Sequence, residues 1–313
     1  MNSNQATITR LFKEEAHRLG FSGIAIAKAE FMNEEARNLE TWLNQNYHGE
    51  MAYMENHFDL RVDPTKLVPG SKSVICLMYN YHTPVKQLDQ EAPKIATYAF
   101  GKDYHKVVRK KLKLLFDFLK KQVGAVEGRL FVDSAPVLER DWAKRSGLGW
   151  IGKNTLMITP QKGSYFFLAE IICDFDFEYD MPIRDHCGTC TRCIDACPTE
   201  AISHTGYLLD ASKCISYLTI ELKNEIPEAF KGKMGGYMYG CDICQEVCPW
   251  NRFSKPHLET DFEPSEELLR MTKKEWYELA EDSFDQIFAY SAVKRTKFKG
   301  LKRNLDFLKP QTD

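Results

Sequence analysis

The sequence predicts an α/β (α+β) protein in three parts: a mixed domain over residues 1–180, a small cysteine-rich domain over 181–255, and a helical segment over 256–313. Three observations lead there. Helical and strand patterns alternate through the first part. Eight of the ten cysteines then crowd between Cys187 and Cys248, and the remainder reads as helical and ends in a basic run.

Taken in order, the periodicity predicts a helix around Ile8–Leu19 that ends at Gly20, then a short strand, Gly23–Lys28. Helical stretches follow at Asn33–Asn46 and Met51–His57, and a strand at Lys72–Tyr81 after Pro69-Gly70. A helix from Asp103 to Val123 carries Val108, Leu112, Leu115 and Leu119 on one face and Lys106, Arg109, Lys110, Lys113, Lys120 and Lys121 on another. Strands are predicted at Arg129–Val132, Asn154–Thr159 and Ser164–Cys173, with a helix from Ala135 to Arg145 after the first.

The 313 residues carry a formal net charge of −2, so no general attraction to polyanions is expected and any nucleic-acid contact must be local. No apolar run approaches the roughly 20 residues that span a bilayer. The N-terminus lacks the pattern of a signal peptide. A cytoplasmic, monomeric protein without membrane contact is expected, and in a reducing compartment ten cysteines point to metal rather than disulfides. Cys76 and Cys173 lie in apolar runs and read as buried strand residues.

The other eight have a pattern. Cys187-Gly-Thr-Cys-Thr-Arg-Cys-Ile-Asp-Ala-Cys-Pro198 matches the bacterial ferredoxin run C-x-x-C-x-x-C-x-x-x-C-P. Cys214 and Cys241-Asp-Ile-Cys-Gln-Glu-Val-Cys-Pro249 repeat it, with a helix-sized insertion after the first cysteine. In two-cluster ferredoxins the fourth cysteine of each run ligates the other cluster. That rule puts Cys187, Cys190, Cys193 and Cys248 on one [4Fe–4S] cluster, and Cys197, Cys214, Cys241 and Cys244 on a second. Structural zinc prefers separated C-x-x-C pairs around one ion and fits this spacing poorly. Two neighbouring clusters imply a one-electron relay fed by an external low-potential donor.

A bare ferredoxin does not need the large domain that precedes these cysteines, so function must be sought where the electrons go. Two stretches are dense in unusual residues: Tyr98-Ala-Phe-Gly-Lys-Asp-Tyr-His105, and Val132-Asp-Ser-Ala-Pro-Val-Leu-Glu-Arg-Asp-Trp-Ala-Lys-Arg-Ser-Gly-Leu-Gly-Trp-Ile-Gly-Lys-Asn-Thr155. With the Gly163-Ser164 turn and the closing Cys-Pro-Trp-Asn251, they resemble the epoxyqueuosine reductase family over nearly the whole chain. The resemblance implies a nitroreductase-like cobalamin-binding domain, similar to that of reductive dehalogenases, ahead of a ferredoxin-like domain. It implies reduction of epoxyqueuosine to queuosine at the wobble position of tRNA anticodons, by cob(I)alamin charged from the clusters.

Opening an epoxide to an alkene takes two electrons and two protons, and an acid eases departure of the oxygen. Asp133, at the end of a predicted strand, is the candidate acid; desolvation beside a flat corrin would raise its pKa. The alternative is that Asp133 or Ser134 caps a helix beginning near Pro136. The resemblance favours catalysis, because the aspartate of this motif is the family's proton donor. It also implies base-off cobalamin with no histidine under cobalt, so His105 reads as a helix-start residue or a contact. Candidate cobalamin contacts are Tyr98, Ser134, Trp150, Gly152, Lys153, Asn154, Ser164, Ser216 and Tyr217.

For tRNA, the closing run supplies Lys294, Arg295, Lys297, Lys299, Lys302 and Arg303, with Arg140 and Arg145 as secondary candidates. The resemblance also implies a further helical-repeat domain in longer members of the family, and this sequence stops before it. Two rival readings are a cobalamin-dependent reductase of a small molecule and a non-catalytic electron carrier.

Overall fold

The computed structural model describes residues 3–310. Its centre is one four-stranded sheet. Strands β1 (Gly23–Lys28), β2 (Ser73–Asn80), β3 (Gly128–Phe131) and β4 (Phe166–Cys173) lie in the order β1-β2-β4-β3. Every neighbouring pair is antiparallel, with Ile26 opposite Ile75, Cys76 opposite Glu170 and Phe131 opposite Glu170.

β2 and β4 are apolar on both faces because both faces are covered. On one side lie helix α1 (Ser3–Arg18), through Ile8, Phe12 and Ala16, and a later helix over Tyr104–Val123, through Val108, Leu112, Leu115 and Leu119. On the other lie Met32, Val137, Trp142 and Ala143 against Val74, Cys76 and Ile172. Helix α2 (Asn33–Asn44) is held at this edge by Ala36 and Leu39. The Tyr104–Val123 helix, α3, starts where Asp103 accepts the His105 amide and stops at Gly124, whose φ of +81° no β-branched residue would tolerate. Cys76 and Cys173 are both buried strand residues, as the sequence predicts.

Three predicted elements are altered, each for a local reason. Met51–His57 is not one helix: a 3-10 turn, Ala52–Met54, is followed by separate turns Phe58–Val62 and Pro64–Leu67. His57, in the left-handed region at φ +57°, ends the first stretch, and Pro64 parts the two later turns by holding Asp63 at φ −134°, ψ 99°. The helix predicted from Ala135 begins only at Glu139 and becomes α4 (Glu139–Arg145), because Pro136 excludes Ala135 from a helical start. Asn154–Thr159 shrinks to the two-residue strand Met157–Ile158, since Thr155 turns at φ +62° with its amide on Gly152 O.

The insertion between Cys214 and Cys241 holds helix α5 (Ile215–Ile220) and a strand, Tyr237–Tyr239, which pairs in parallel with Lys94–Ile95 of the first part. The last segment ends in helix α6 (Lys297–Leu308). Its Leu301 and Leu305 join Trp276, Phe284, Phe288 and Val293 in a core that also includes Ile95, Ala99, Met238 and Tyr239. All three predicted parts therefore share apolar core. Among the described residues, no helix is long and apolar enough to cross a membrane.

One polar side chain pins α6 down. Asn304, 1% exposed, donates from Nδ2 to Thr219 O and Met238 O, both at 2.8 Å. Asn304→Leu fills the space but strands two buried carbonyls, and should cost roughly 2–4 kcal/mol of stability in urea denaturation.

Candidate functional site

Asp133 leaves β3 at a sharp bend. Its φ of +57° places a non-glycine residue in the left-handed region. The Ser134 amide donates to Val132 O at 2.6 Å and the Ser134 hydroxyl to the same oxygen at 3.1 Å. Neither Asp133 nor Ser134 caps α4, whose N-cap is Leu138 with no side-chain bond. The capping alternative is thereby excluded.

The Asp133 side chain remains 46% exposed, yet its carboxylate is held from behind. Tyr104 Oη donates to Oδ2 at 2.5 Å, and His105 Nε2 lies 3.3 Å from the same oxygen. Tyr104 is stacked on Phe167 at 4.0 Å and on His105 at 4.1 Å, so the phenol cannot swing freely. Tyr98 meets Tyr104 edge-on at 6.1 Å. His105 Nδ1 is 2.7 Å from Asp103 Oδ1, which places the ring between two carboxylates.

The electrostatics follow. Burial pushes the Asp133 carboxyl up, but bonds from His105 and Tyr104 and the charges of His105 and Arg295 outweigh it and hold the group below its ordinary value. Burial would lower His105, but Asp103 and Asp133 outweigh that and push it up to about 9. At neutral pH the mobile proton of this pair therefore sits on the imidazole. In the protein alone this reverses the raised carboxyl expected beside a corrin.

The basic run divides. Arg295 is exposed, pairs with Glu221 at 2.7 Å, and is close enough to favour the Asp133 charge. Lys294 pairs with Asp285, while Lys297 and Lys299 are exposed on the outer side of α6. Lys302 donates to Tyr277 O at 2.9 Å. Arg303 is committed to the fold, donating to Leu218 O, Leu222 O and Asn224 O at 2.5–2.8 Å. Arg140 donates to Thr155 O at 2.5 Å, and Arg145 lies 3.9 Å from Glu30.

Among the described residues no two cysteines form a disulfide. Cys187, Cys190, Cys193 and Cys248 line one cavity of about 210 Å³, with Lys153, His186 and Trp250 around them. Cys197, Cys214, Cys241 and Cys244 are mutual neighbours on the inner side. Both groups contain the crossing cysteine that the ferredoxin rule assigns.

Burial pushes the Cys214, Cys241 and Cys248 thiols up, and backbone amides act against it. The amides of Ser216 and Tyr217 face Cys214, that of Ile243 faces Cys241, and those of Trp250 and Asn251 face Cys248. The Ala201 amide donates to Cys197 Sγ at 3.4 Å. The buried Trp150 indole N–H finds no oxygen acceptor and points at Cys187.

Most other predicted cofactor contacts form the joint between the sheet and the cysteine loops. Lys153 Nζ donates to Gly188 O at 2.7 Å and Cys190 O at 3.0 Å; Asn154 Nδ2 donates to Cys244 O at 3.2 Å. A Cβ on Gly152 would lie 2.4 Å from Ile158. The Ser164 amide donates to Asn251 Oδ1 at 2.7 Å, and Gln245 Nε2 donates to Ser164 O at 2.9 Å. Tyr217 is buried, its hydroxyl accepting the Glu50 amide at 2.7 Å, and so faces the interior. Tyr98, Ser134 and Ser216 remain partly accessible.

Comparison with known proteins agrees with this arrangement. A family profile described as "4Fe-4S double cluster binding domain" matches residues 186–251, and one described as "Epoxyqueuosine reductase QueG, DUF1730" matches residues 61–134. The epoxyqueuosine reductase of Cellulophaga algicola is 58% identical over 299 residues, 96% of this chain and 97% of the relative. The chain belongs to the epoxyqueuosine reductase family. It is therefore an oxidoreductase carrying a double [4Fe–4S] domain. An epoxyqueuosine reductase solved with an epoxyqueuosine-modified tRNA-Tyr stem loop superposes with TM-score 0.85 at 32% identity, over 96% of this chain and 80% of that one. A Bacillus subtilis epoxyqueuosine reductase, whose catalytic aspartate loop is swung out of the active site, superposes with TM-score 0.84 at 32% identity, over 96% and 81%.

The sequence reading missed two carboxyls of this family member, Glu139 and Glu170. The signal for Glu170 was present: a lone carboxylate inside the apolar strand Phe166–Cys173.

A pH prediction follows for His105. Its folded pKa lies above the ordinary 6.5, at about 9, so its stabilising effect is complete below pH 6.5 and lost as pH rises through 9. Over that window the wild type should lose thermal stability relative to His105→Gln. Parallel melting-temperature profiles would contradict the ion-pair geometry.

Proposed function

We propose that this chain reduces epoxyqueuosine in a tRNA anticodon to queuosine, with electrons passing through the two clusters to a bound cobalamin and Asp133 delivering a proton. The observation that carries the reading is Asp133 itself: a solvent-open carboxylate at the end of a strand, gripped from behind by Tyr104 and by a protonated His105. The relative solved with a modified stem loop supports tRNA as substrate, and the Bacillus subtilis relative supports the aspartate loop as catalytic.

The clusters take Cys187, Cys190, Cys193 and Cys248, and Cys197, Cys214, Cys241 and Cys244. Cysteine-ligated clusters pass electrons singly, whereas removing an epoxide oxygen consumes two electrons and two protons and releases water. Cobalamin, when bound, would supply a nucleophile able to deliver an electron pair to carbon. The residues present fit such a group: an open carboxyl flanked by the Tyr98 ring and the Ser134 hydroxyl, with Ser216 adjoining the inner cysteines. The larger share of the joint, through Trp150, Gly152, Lys153, Asn154 and Ser164, holds the cysteine loops at a fixed place beside it.

The protein's own part in the chemistry is proton delivery. His105 Nε2 lies 3.3 Å from Asp133 Oδ2, so a proton on that nitrogen can pass to the carboxylate, which directs it to the departing oxygen. Arg295 balances the carboxylate. Lys294, Lys297, Lys299, Lys302 and Arg140 are the candidate phosphate contacts.

Anaerobically purified protein should bind cob(II)alamin and convert epoxyqueuosine-tRNA to queuosine-tRNA with a strong reductant; failure to bind any corrinoid rejects the cobalamin reading. Asp133→Asn should keep corrinoid binding and lose turnover by about 10²–10⁴-fold, and near-normal turnover rejects Asp133 as the proton donor. Cys248→Ser and Cys190→Ser should deplete the same cluster, leaving about four irons in each case. Loss of different clusters, read by electron paramagnetic resonance, would overturn the crossed ligand sets.

A further inference from the structure

A non-glycine residue keeps a left-handed backbone only where its surroundings over-determine it. For Asp133 the strongest backbone restraint comes from outside the loop: its N–H donates to Glu139 Oε1 at 2.6 Å. Glu139 is the first residue of α4, yet its carboxyl turns back to the loop. Behind it stands Glu170, 0% exposed, in the centre of the sheet and on the face that α4 covers.

Neither Glu170 oxygen meets an N–H or a hydroxyl donor. The polar group it faces is the Glu139 carboxyl. Two carboxyls hydrogen-bond only when one carries a proton. The other groups facing Glu139 are Asp133 from the loop, Tyr104 from α3, Cys76 from β2 and Arg140 from its own helix. Arg140 is the one cation among them, and it donates to Thr155. Burial, then the charge of Asp133, pushes Glu139 up to about 7. Burial, then the charge of Glu139, pushes Glu170 well above the carboxylate range.

We propose that Glu139, sharing one proton with Glu170, is the positioning residue for Asp133: its carboxylate clasps the Asp133 amide and keeps the reactive carboxyl against Tyr104 and His105. This rests on the reading of Asp133 as proton donor. Glu170 holds the shared proton, which lets Glu139 stay ionised and accept strongly while the sheet interior carries no second charge. Deprotonating Glu170 would set two like charges together; protonating Glu139 would weaken the clasp. The device acts on geometry, and no step of the reaction passes through it.

The test uses the full chain. In wild-type protein without cobalamin, infrared spectra at pH 7 should contain the carbonyl stretch of a buried neutral carboxylic acid, absent from Glu170→Gln. Hydrogen exchange at the Asp133 amide should quicken about tenfold or more in Glu139→Ala. In the loaded enzyme, Glu139→Ala should lower kcat about tenfold or more with KM for tRNA within about twofold. Glu139→Gln keeps an oxygen acceptor, so it should restore most of kcat and abolish the inflection near pH 7 in the pH–rate profile. A wild-type spectrum without the neutral-acid band, unchanged exchange in Glu139→Ala, or a Glu139→Gln profile that keeps the inflection overturns the proposal. If Glu139→Ala does not fold, the infrared band and the Glu139→Gln profile still decide it. Near-normal turnover in Asp133→Asn would sink the underlying reading instead, leaving the exchange and infrared results to stand alone.

Discussion

The joint formed by Ser164, Gln245 and Asn251 is the interaction on which the rest of the molecule depends. Asn251 accepts the Ser164 amide through Oδ1 and donates through Nδ2 to Gln245 O and the Ser164 hydroxyl; Gln245 donates to Ser164 O. The knot is largely buried, so each of its bonds is costly to lose. It ties the start of β4 to the loop of the last cysteine. Gly163 makes it possible: any Cβ there would lie 2.1 Å from Asn251 Oδ1. Through this joint the cysteine loops and the Asp133 bend are referred to one rigid sheet. Electron transfer and proton delivery need that shared frame, because both fail with small displacements.

A second constraint is the density of negative charge. Eight thiols, Asp133, Glu139 and Glu170 gather within one small protein of net charge −2. The chain meets each charge differently. The thiols are met by backbone amides and the Trp150 indole, which cost no countercharge. Asp133 is met by a cation and a phenol, while the glutamate pair is met by a shared proton. Each solution suits its place: amides beside the cysteines, an exchangeable proton where the carboxyl is open, and neutrality in the centre of the sheet.

The spatial grouping of the cysteines was legible because spacing is local. Short gaps between Cys187 and Cys197, and again between Cys241 and Cys248, determine which thiols can share a turn, and the ferredoxin rule supplies the crossing. The strands were legible too, β1 residue for residue, because an apolar run flanked by glycine and proline leaves few alternatives. Elements near proline were not. Ala135-Pro136 delayed one predicted helix to Glu139, although periodicity ran through it. Side-chain roles were least legible. Arg303 and Lys294 look alike in a basic run, yet Arg303 turns inward onto three carbonyls, and sequence cannot show which way α6 faces.

By itself, then, the sequence determined the chemistry available: the cysteine pattern with its two halves, the alternating domain before it, and the aspartate motif that marks the family. These are properties of adjacent residues and survive without knowledge of the fold. Tertiary structure alone decided how that chemistry is arranged. It brought His105 and Tyr104 onto Asp133 from another helix, set Glu139 of α4 against Glu170 on the sheet face that α4 covers, and turned Tyr217 into packing. The reason is physical. A charge or a proton is placed by whatever lies within a few ångströms, and in this fold those neighbours come from segments far apart in the chain.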